Sequence, residues 1–195
     1  MSGRHRKPTT SATTVAKVAF TGISDHGKKT EKELKDQGFD VLFLQGNMAD
    51  EAFSKKVVDA TVAKYGKINY LFNNAFSFTA KGMDATREDW ERVFTVGPMG
   101  YATMVQLCVP HMRKQGGGAV VNMSSISAFV AQVNRWTYNA AKGAVHTMTK
   151  CMALDLAQYN IRINSVSPGW IWTREVLKAA AIDGGGREKW DPIWG

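Results

Sequence analysis

The sequence predicts an α/β protein in which a parallel β-sheet carries helices on both of its faces. Short apolar runs rich in Val, Ile and Phe alternate with longer segments whose apolar residues recur at helical spacing. These residue types suit strands that are buried on both faces of a sheet. Alternating strands and helices, joined by right-handed crossovers, build a parallel sheet between two layers of helices.

The same patterns give the order of the elements along the chain. The predicted strands are Lys17–Thr21, Val41–Leu44, Tyr70–Asn73, Ala119–Ser124 and Ile161–Val166. The predicted helices are Thr30–Gln37, Glu51–Tyr65, Arg87–Lys114 and Tyr138–Gln158. Gly38, Gly66 and Gly116 stand where the first three helices should stop, because glycine readily adopts the left-handed conformation that ends many helices.

The composition fits one globular domain with a substantial core. The 195 residues are 44% hydrophobic and 22% charged. No stretch of eighteen apolar residues predicts a membrane-spanning helix. Neither the two cysteines nor the four histidines have metal-ligand spacing, so the sequence predicts no metal site. Cys108 and Cys151 are expected to be small buried hydrophobes in a reducing compartment.

The net charge of +8 is concentrated near the amino-terminal end. Residues 1–35 hold eight Lys or Arg and three Asp or Glu, and so contribute +5. This uneven distribution argues against a nucleic-acid-binding body. Residues 1–15 are basic and rich in Ser and Thr, so we expect a disordered tail ahead of a domain at 16–195. The lack of an apolar leader predicts a cytoplasmic protein, with a short organellar targeting segment as the alternative.

Tyr138 and Lys142 are the most informative pair in the sequence. Residues four apart share one face of a helix, so the Lys142 ammonium should lie beside the Tyr138 phenol. The ordinary phenol pKa of about 10 is too high for proton transfer at neutral pH, and a nearby cation lowers it. Ser125, thirteen residues before Tyr138, offers a hydroxyl that would hold a substrate oxygen. Together the three side chains indicate proton transfer in alcohol and carbonyl chemistry.

Other polar segments follow the predicted strands. Asn73-Asn74-Ala75 ends the third strand, Ser125 follows the fourth, and Pro168-Gly169 follows the fifth. Ligands of parallel α/β sheets bind at the carboxyl ends of the strands. We therefore expect these segments to line one crevice.

With these motifs the sequence closely resembles the short-chain dehydrogenase/reductase family, from about Lys17 to Arg174. The matching motifs are Asn73-Asn74-Ala75, Asn122-Met-Ser-Ser125, the Tyr138 and Lys142 pair, and Pro168-Gly169-Trp-Ile171-Trp-Thr173. The resemblance implies a Rossmann-like fold and an NAD(P)-dependent oxidoreductase that interconverts an alcohol and a carbonyl.

The resemblance also implies roles for individual residues. Tyr138 would transfer the proton, Lys142 would lower the tyrosine pKa and bind the nicotinamide ribose, and Ser125 would orient the substrate oxygen. The implied cofactor-binding residues are Asn47, Asn74, Ala75, Tyr138, Lys142, Pro168, Gly169, Ile171 and Thr173. The residues expected at the substrate mouth are Phe129, Arg135, Trp136 and Trp170. Simple packing is the alternative role for this last group.

The first departure from the family pattern lies near the start of the domain. The family's first strand leads into a Thr-Gly-x-x-x-Gly-x-Gly loop, whose glycines let the backbone approach the cofactor pyrophosphate. This sequence has no such loop. The 51 residues from Gly22 to Asn73 suit the family's second strand, so we interpret Val18–Thr21 as that strand. In the alternative interpretation Val18–Thr21 takes the position of the family's first strand. Gly22–Gly27, with Lys28 and Lys29, would then serve as a substitute phosphate-binding loop.

This interpretation leaves the family's first strand without a counterpart. Its two neighbours in the sheet should then either expose unpaired backbone groups, leaving an unstable protein, or move together and close the gap. Gly22 stands where an acidic residue selects NAD through the ribose hydroxyls. Its presence, with Lys28 and Lys29 nearby, favours NADP(H) over NAD(H).

Two further departures concern the site and the carboxyl-terminal end. Gly97 stands where the family usually has an Asn that completes a proton relay through a water, and Pro98 disturbs the helix there. Phe76 replaces the last glycine of the Asn-Asn-Ala-Gly turn. After Gly184-Gly185-Gly186, which predicts a flexible loop, the substrate-covering helices and final strand have no counterpart. The sequence therefore predicts a family core shortened at both ends.

Two functions stay open at this point. One is an NADP- or NAD-dependent enzyme acting on a small alcohol or ketone, with activity impaired by the missing loop and relay Asn. The other is a non-catalytic interaction protein or truncated product derived from the family. Helices 87–114 and 138–158, which form the dimer surface in relatives, are the candidate surface for a homo-oligomer.

Overall fold

The computed structural model of the chain describes residues 16–173 and, beyond them, residues 176–177, 181 and 188–189. The predicted tail at 1–15 and the predicted glycine loop at 184–186 lie outside the described residues. Within the described part, parallel strands alternate with helices, which confirms the predicted α/β class.

The described fold contains the following elements. The strands are β1 (Val18–Gly22), β2 (Val41–Gln45), β3 (Tyr70–Asn73), β4 (Gly118–Met123) and β5 (Ile161–Val166). The α-helices are α1 (His26–Asp36), α2 (Glu51–Tyr65), α3 (Arg87–Phe94), α4 (Gly100–Lys114) and α5 (Trp136–Ala157). A π-helical turn (Thr95–Met99) joins α3 to α4, and a 3₁₀ turn (Ile126–Ala128) follows β4.

Local signals set the ends of these helices. A capping box begins α3: the Asp89 N–H donates to the Thr86 hydroxyl at 3.2 Å, and the Asp89 carboxylate accepts from the Thr86 N–H at 3.0 Å. Asp50 caps α2 by accepting a hydrogen bond from the Ala52 N–H. Gly66 ends α2 with φ at 77°, in the left-handed region that glycine tolerates.

The predicted helix 87–114 is interrupted by the π-helical turn. Pro98 lies within this turn and has no N–H to donate, so the regular α-helical hydrogen bonding cannot continue through it. Short π-helical turns inside helices are frequent at functional sites. Gly97 and Pro98 are both buried, which brings the backbone of this turn close to the residues around it.

The strands form two parallel sheets instead of one. In the smaller sheet β1 pairs with β2, with Val18 opposite Val41. The larger sheet has the order β3-β4-β5, with Tyr70 opposite Ala119. Because β1 does not pair with β3, it has not taken the first-strand position, and the arrangement agrees with the interpretation of Val18–Thr21 as the second family strand.

A wide space separates the facing edges of β1 and β3. This space, called the slot below, has a volume of about 1190 Å³ and is bordered by β1, β3, α2 and α4. Tyr70 and Phe72 of β3 are 79% and 60% exposed, as expected for a strand that lacks its neighbour on one side. Of the two sequence expectations, the one in which the strands close the gap is therefore wrong.

The core lies beneath α2 and α4 and joins the two sheets. Its buried members are Leu44, Phe53, Val57, Val58, Ile68, Met104, Val105, Cys108, Met112, Val120, Ile161 and Ile163. This cluster draws on both sheets, so α2 and α4 hold them together although no strand pairing does. No helix in the described ranges combines the length and apolarity needed to cross a bilayer.

The two cysteines differ in burial. Cys108 is buried in the core, and burial raises the pKa of its thiol to about 12. Cys151 is exposed on α5, so the expectation that both are buried is wrong for this residue. The cause is helical geometry, because α5 directs Ala141 and Val145 inward and Cys151 emerges on another face.

Candidate active site

The three predicted catalytic residues lie where β4, β5 and α5 meet. The Ser124 N–H donates to the Val166 carbonyl at 2.8 Å, and the Ile126 N–H donates to the Pro168 carbonyl at 3.1 Å. The Ser124 hydroxyl also donates to the Lys142 carbonyl at 3.0 Å. Ser125, between these two anchored residues, is therefore fixed beside both α5 and the segment after β5.

These bonds also separate the roles of the two adjacent serines. The Ser124 hydroxyl is committed to the backbone of α5. The Ser125 hydroxyl lies 3.2 Å from the Ser127 hydroxyl and accepts a hydrogen bond from the Ser127 N–H. Ser127 in turn donates to the Gln132 side-chain oxygen at 2.6 Å. Ser125 must rotate its hydroxyl away from Ser127 in order to donate to a substrate oxygen.

Lys142 is almost completely buried, at 4% exposure. Its Nζ donates to the carbonyl oxygen of Met123, the last residue of β4, at 2.8 Å. The same nitrogen lies 5.8 Å from the centroid of the Tyr138 ring, as the helical spacing predicts. Burial lowers the pKa of the Lys142 ammonium to about 8, because the charged form has lost its water.

Two phenylalanines flank the half-buried Tyr138 ring. The Phe76 ring meets it edge to face, with centroids 5.5 Å apart and planes at 85°. The Phe78 ring lies on another side, with a centroid distance of 5.0 Å. Edge-to-face and tilted contacts are favourable arrangements for aromatic rings. The two rings therefore restrict the orientation of the Tyr138 phenol.

The Phe76 ring packs directly against Gly97. A Cβ atom built on Gly97 would lie 2.6 Å from Cε2 of Phe76, closer than real contacts allow. The relay Asn that the resemblance places at residue 97 is therefore sterically incompatible with this position of the Phe76 ring. The Phe76 ring can take this position only because residue 97 is glycine.

Asn73 and Asn122 belong to the framework of the site. Asn73 donates to the Asn122 side-chain oxygen at 2.9 Å, and Asn122 donates to the Thr149 hydroxyl at 3.0 Å. These buried bonds connect β3, β4 and α5. Asn74 and Ala75, the predicted cofactor residues that follow Asn73, border the slot.

The remaining predicted cofactor residues are spread more widely. Asn47 follows the carboxyl end of β2 in the smaller sheet. Its side-chain oxygen accepts a hydrogen bond from the Ala49 N–H. Pro168 is tied to the backbone after β4, whereas Gly169 has open space around it. Ile171 is exposed, and the Thr173 hydroxyl accepts from the Val176 N–H. The described contacts thus bring Pro168 to the catalytic residues, but not Asn47.

The predicted mouth residues fall into two groups. The Arg135 guanidinium lies over the rings of Phe78, at 5.8 Å, and Trp170, at 5.4 Å. Phe78 also contacts Tyr138, so Arg135 and Trp170 lie near the tyrosine. Phe129 packs against His146 instead, with centroids 4.5 Å apart. Trp136, on the first turn of α5, is exposed.

Sequence reasoning missed three groups at this site. Phe78 had a usable signal, because it lies two residues after Phe76 in a non-helical segment. Ser127 and Gln132 had none, since their bonds depend on the 3₁₀ turn. Tyr101 also had none: it is buried in α4, its hydroxyl has no hydrogen-bond partner among the described residues, and burial, with a smaller contribution from Tyr138, raises its pKa.

The donor set fits the nicotinamide and ribose end of a dinucleotide cofactor. An ammonium carries three N–H groups, and Met123 accepts only one from Lys142, so others remain for a ribose hydroxyl. Among the predicted cofactor residues, Tyr138 and Thr173 carry hydroxyl groups, Asn74 carries an amide group, and none is acidic. Such a set suits an anionic ligand rich in hydroxyl groups.

The sequence is similar to those of known oxidoreductases. The family model described as enoyl-(acyl carrier protein) reductase matches residues 10–191. The NADP-dependent (R)-specific alcohol dehydrogenase of Lentilactobacillus kefiri is 38% identical over 164 residues, covering 81% of this chain and 64% of the relative. The cyclopentanol dehydrogenase of Comamonas sp. is 35% identical over 157 residues, covering 78% and 63%.

A solved structure shows the same similarity in three dimensions. The L-sorbose reductase of Gluconobacter frateurii, determined with NADPH and L-sorbose, superposes with a TM-score of 0.83 at 27% identity. The match covers 89% of this chain and 68% of that one. The chain spans a little under two thirds of the length of the two curated relatives.

Proposed function

Because the chain belongs to the short-chain dehydrogenase/reductase family, we propose that it is an oxidoreductase interconverting a small alcohol and the corresponding ketone or aldehyde. The single observation that carries this proposal is the buried Lys142 ammonium beside the Tyr138 ring. A cation is costly to bury without a carboxylate partner, so its place next to a phenol calls for a chemical purpose. Stabilising a phenolate is such a purpose.

Tyr138 is the proposed proton-transfer residue. In the reductive direction its phenol donates a proton to the substrate carbonyl oxygen, which leaves a phenolate and a new hydroxyl group. In the oxidative direction the phenolate takes the proton back from the alcohol. A bound NADP(H) or NAD(H) supplies or accepts the hydride at the substrate carbon.

Lys142 and Ser125 support this transfer in different ways. The Lys142 ammonium lowers the free energy of the phenolate through its charge, which is little screened in a buried site. Ser125 donates a hydrogen bond to the substrate oxygen once its hydroxyl has turned from Ser127. This bond holds the oxygen close to the Tyr138 phenol.

The proposed cofactor contacts extend from Lys142 in two directions. Lys142 would bind the ribose next to the nicotinamide, and Pro168, Gly169, Ile171 and Thr173 would surround the nicotinamide ring. Asn74, Ala75 and Asn47 would line the path toward the adenine end. Lys28 and Lys29, both exposed near the end of β1, favour NADP(H), although Lys28 also forms an ion pair with Asp25 at 2.7 Å.

A second candidate function rests on the slot between β1 and β3. This slot breaks the sheet in the region where the family binds the cofactor pyrophosphate, which favours a non-catalytic interaction protein. In that case α3, α4 and α5 would serve association only. The two candidates differ in cofactor binding, which can be measured directly.

Titration with NADPH and with NADH, followed by nicotinamide fluorescence, tests the enzyme proposal. We expect saturable binding, tighter for NADPH than for NADH. Lys142→Met should weaken the binding, whereas Lys150→Met, on an exposed position of the same helix, should leave it unchanged. Absence of saturation at millimolar concentrations of both cofactors would favour the interaction protein.

A further inference from the structure

The Phe76 ring touches three parts of the candidate site at once. Its centroid lies 3.8 Å from the Lys142 ammonium nitrogen, which is close for a cation over an aromatic face. Its edge-to-face contact with Tyr138 and its close approach to Gly97 complete the set. No other ring in the described part of the chain lies as near to Lys142.

Gly97 makes this position of the ring accessible. Cε2, Cδ2 and Cζ of Phe76 would lie 2.6, 3.2 and 3.5 Å from a Cβ on residue 97. Any other amino acid at 97 would therefore displace the ring from this position. With glycine there, the ring fills the space between the π-helical turn and the ammonium.

The surroundings of Lys142 show why an aromatic face matters. The structure gives the ammonium one hydrogen-bond acceptor, the Met123 carbonyl, and no carboxylate forms an ion pair with it among the described residues. Tyr138 precedes Lys142 by one turn of α5, His146 follows it by one turn, and Tyr101 on α4 interacts electrostatically with Tyr138. Burial is the cause of the low Lys142 pKa, and no charged neighbour offsets it. The negative face of a ring is then a substantial remaining source of stabilisation for the cation.

We propose that Phe76 is a positioning residue that holds Lys142 charged and in place beside Tyr138, and that Gly97 serves to admit its ring. This proposal rests on the function proposed for Tyr138 and Lys142 and adds a new element to it. The ring takes the space in which a polar side chain at 97 and its water would otherwise lie. The site thus uses an aromatic contact in place of a polar relay through residue 97.

The titration of Lys142 in the protein without cofactor tests this proposal. Lysine labelled with ¹³C reports its charge through the Cε chemical shift, and the Lys142 signal is assigned by its loss in Lys142→Arg. Phe76→Leu keeps the site apolar but removes the aromatic face, so the Lys142 pKa should fall by roughly one unit. Phe76→Ala should admit water and raise the pKa instead, because desolvation is relieved.

A matched control separates the cation contact from general aromatic packing. Phe78→Leu removes the other ring that packs against Tyr138, yet Phe78 has no contact with the Lys142 ammonium. The Lys142 pKa in Phe78→Leu should stay at its wild-type value. An equal shift in Phe76→Leu and Phe78→Leu would overturn the proposal, as would no shift in either.

Substitutions at residue 97 give a second test that does not depend on the first. Gly97→Ala should displace the ring and shift the Lys142 pKa in the wild-type background. In a Phe76→Ala background the same Gly97→Ala change should have no further effect, since no ring is left to displace. Equal effects in both backgrounds would contradict the proposed role of Gly97. These measurements need no turnover, so they can fail while the oxidoreductase proposal stands, and the reverse also holds.

Discussion

The Lys142 ammonium is bonded to the carbonyl oxygen of Met123 at 2.8 Å, which attaches the cation to the last residue of β4. Ser125 follows Met123 by two residues, and Tyr138 precedes Lys142 by one helical turn. This bond, together with those from Asn122 to Thr149 and from Ser124 to the Lys142 carbonyl, connects β4 and the residues that follow it with the helix that carries Tyr138. This connection fixes the relative positions of the three proposed catalytic side chains.

Burial of Lys142 should cost the protein stability in a pH-dependent way. The native pKa of about 8 lies below the ordinary value of 10.5, so the folded state disfavours the charged form. That cost is full below pH 8 and fades as pH rises toward 10.5, because the native lysine then becomes neutral. Lys142→Met should raise the free energy of unfolding at pH 7 by about 2 kcal/mol, after allowance for the lost bond to Met123.

Urea unfolding of Lys142→Met and the wild type between pH 6 and pH 10 measures this effect. The difference between the two should shrink steadily above pH 8. Lys150→Met serves as the control, because Lys150 is exposed on α5, and it should change stability little at any pH in this range. A pH-independent difference for Lys142→Met would contradict the assigned burial cost.

Replacing Tyr101 with phenylalanine should stabilise the folded protein. Its side chain is 2% exposed, and its hydroxyl has no hydrogen-bond partner among the described residues. Removing an unpaired buried hydroxyl should stabilise the fold by about 1 kcal/mol. Thermal unfolding of Tyr101→Phe measures the gain.

Tyr65→Phe is the matched control for that substitution. The Tyr65 hydroxyl donates to the Asp40 backbone carbonyl at 3.2 Å, so its loss should destabilise the protein slightly. If Tyr101→Phe destabilises the protein as much as Tyr65→Phe does, the Tyr101 hydroxyl forms a hydrogen bond in the folded protein and the prediction is wrong.

The slot between β1 and β3 predicts a particular pattern of hydrogen exchange. β4 is paired on both sides, whereas β1 and β3 each have one unpaired edge. Amides of β4 should exchange slowest, and alternate amides of β1 and β3 should exchange much faster. Exchange measured by NMR at single-residue resolution tests this. Equal protection of all amides in β1 and β4 would mean that the slot is closed in solution.

Much of this fold could be predicted from the sequence because its signals are local. Apolar runs located all five described strands to within a few residues, and the glycine at 66 marked the end of α2. The spacing of Tyr138 and Lys142 placed both on one helical face without any knowledge of the tertiary structure. The proximity of Ser125 to Pro168 could also be expected, because the carboxyl ends of neighbouring parallel strands lie together.

The rest depends on contacts between segments distant in sequence. The fit of Phe76 against Gly97 joins the segment after β3 to the π-helical turn, and no periodic pattern in the sequence records it. The burial of Lys142 under that ring likewise follows from packing. The sequence left open whether the neighbours of the missing strand stay apart or pair with each other. Local sequence signals do not record which strands pair, so the division into two sheets could not be predicted. Cys151 was misjudged because burial on a long helix depends on which face meets the sheet.

The turnover of Tyr138→Phe is the most direct test of proton transfer by Tyr138. The protein is assayed by NADPH oxidation with cyclopentanone and L-sorbose, and NADPH binding is measured on the same samples by fluorescence. We expect NADPH binding close to wild type and a fall in turnover of at least about a hundredfold, because the proton donor is lost while the ring is kept. Turnover by Tyr138→Phe equal to that of an active wild type would contradict it.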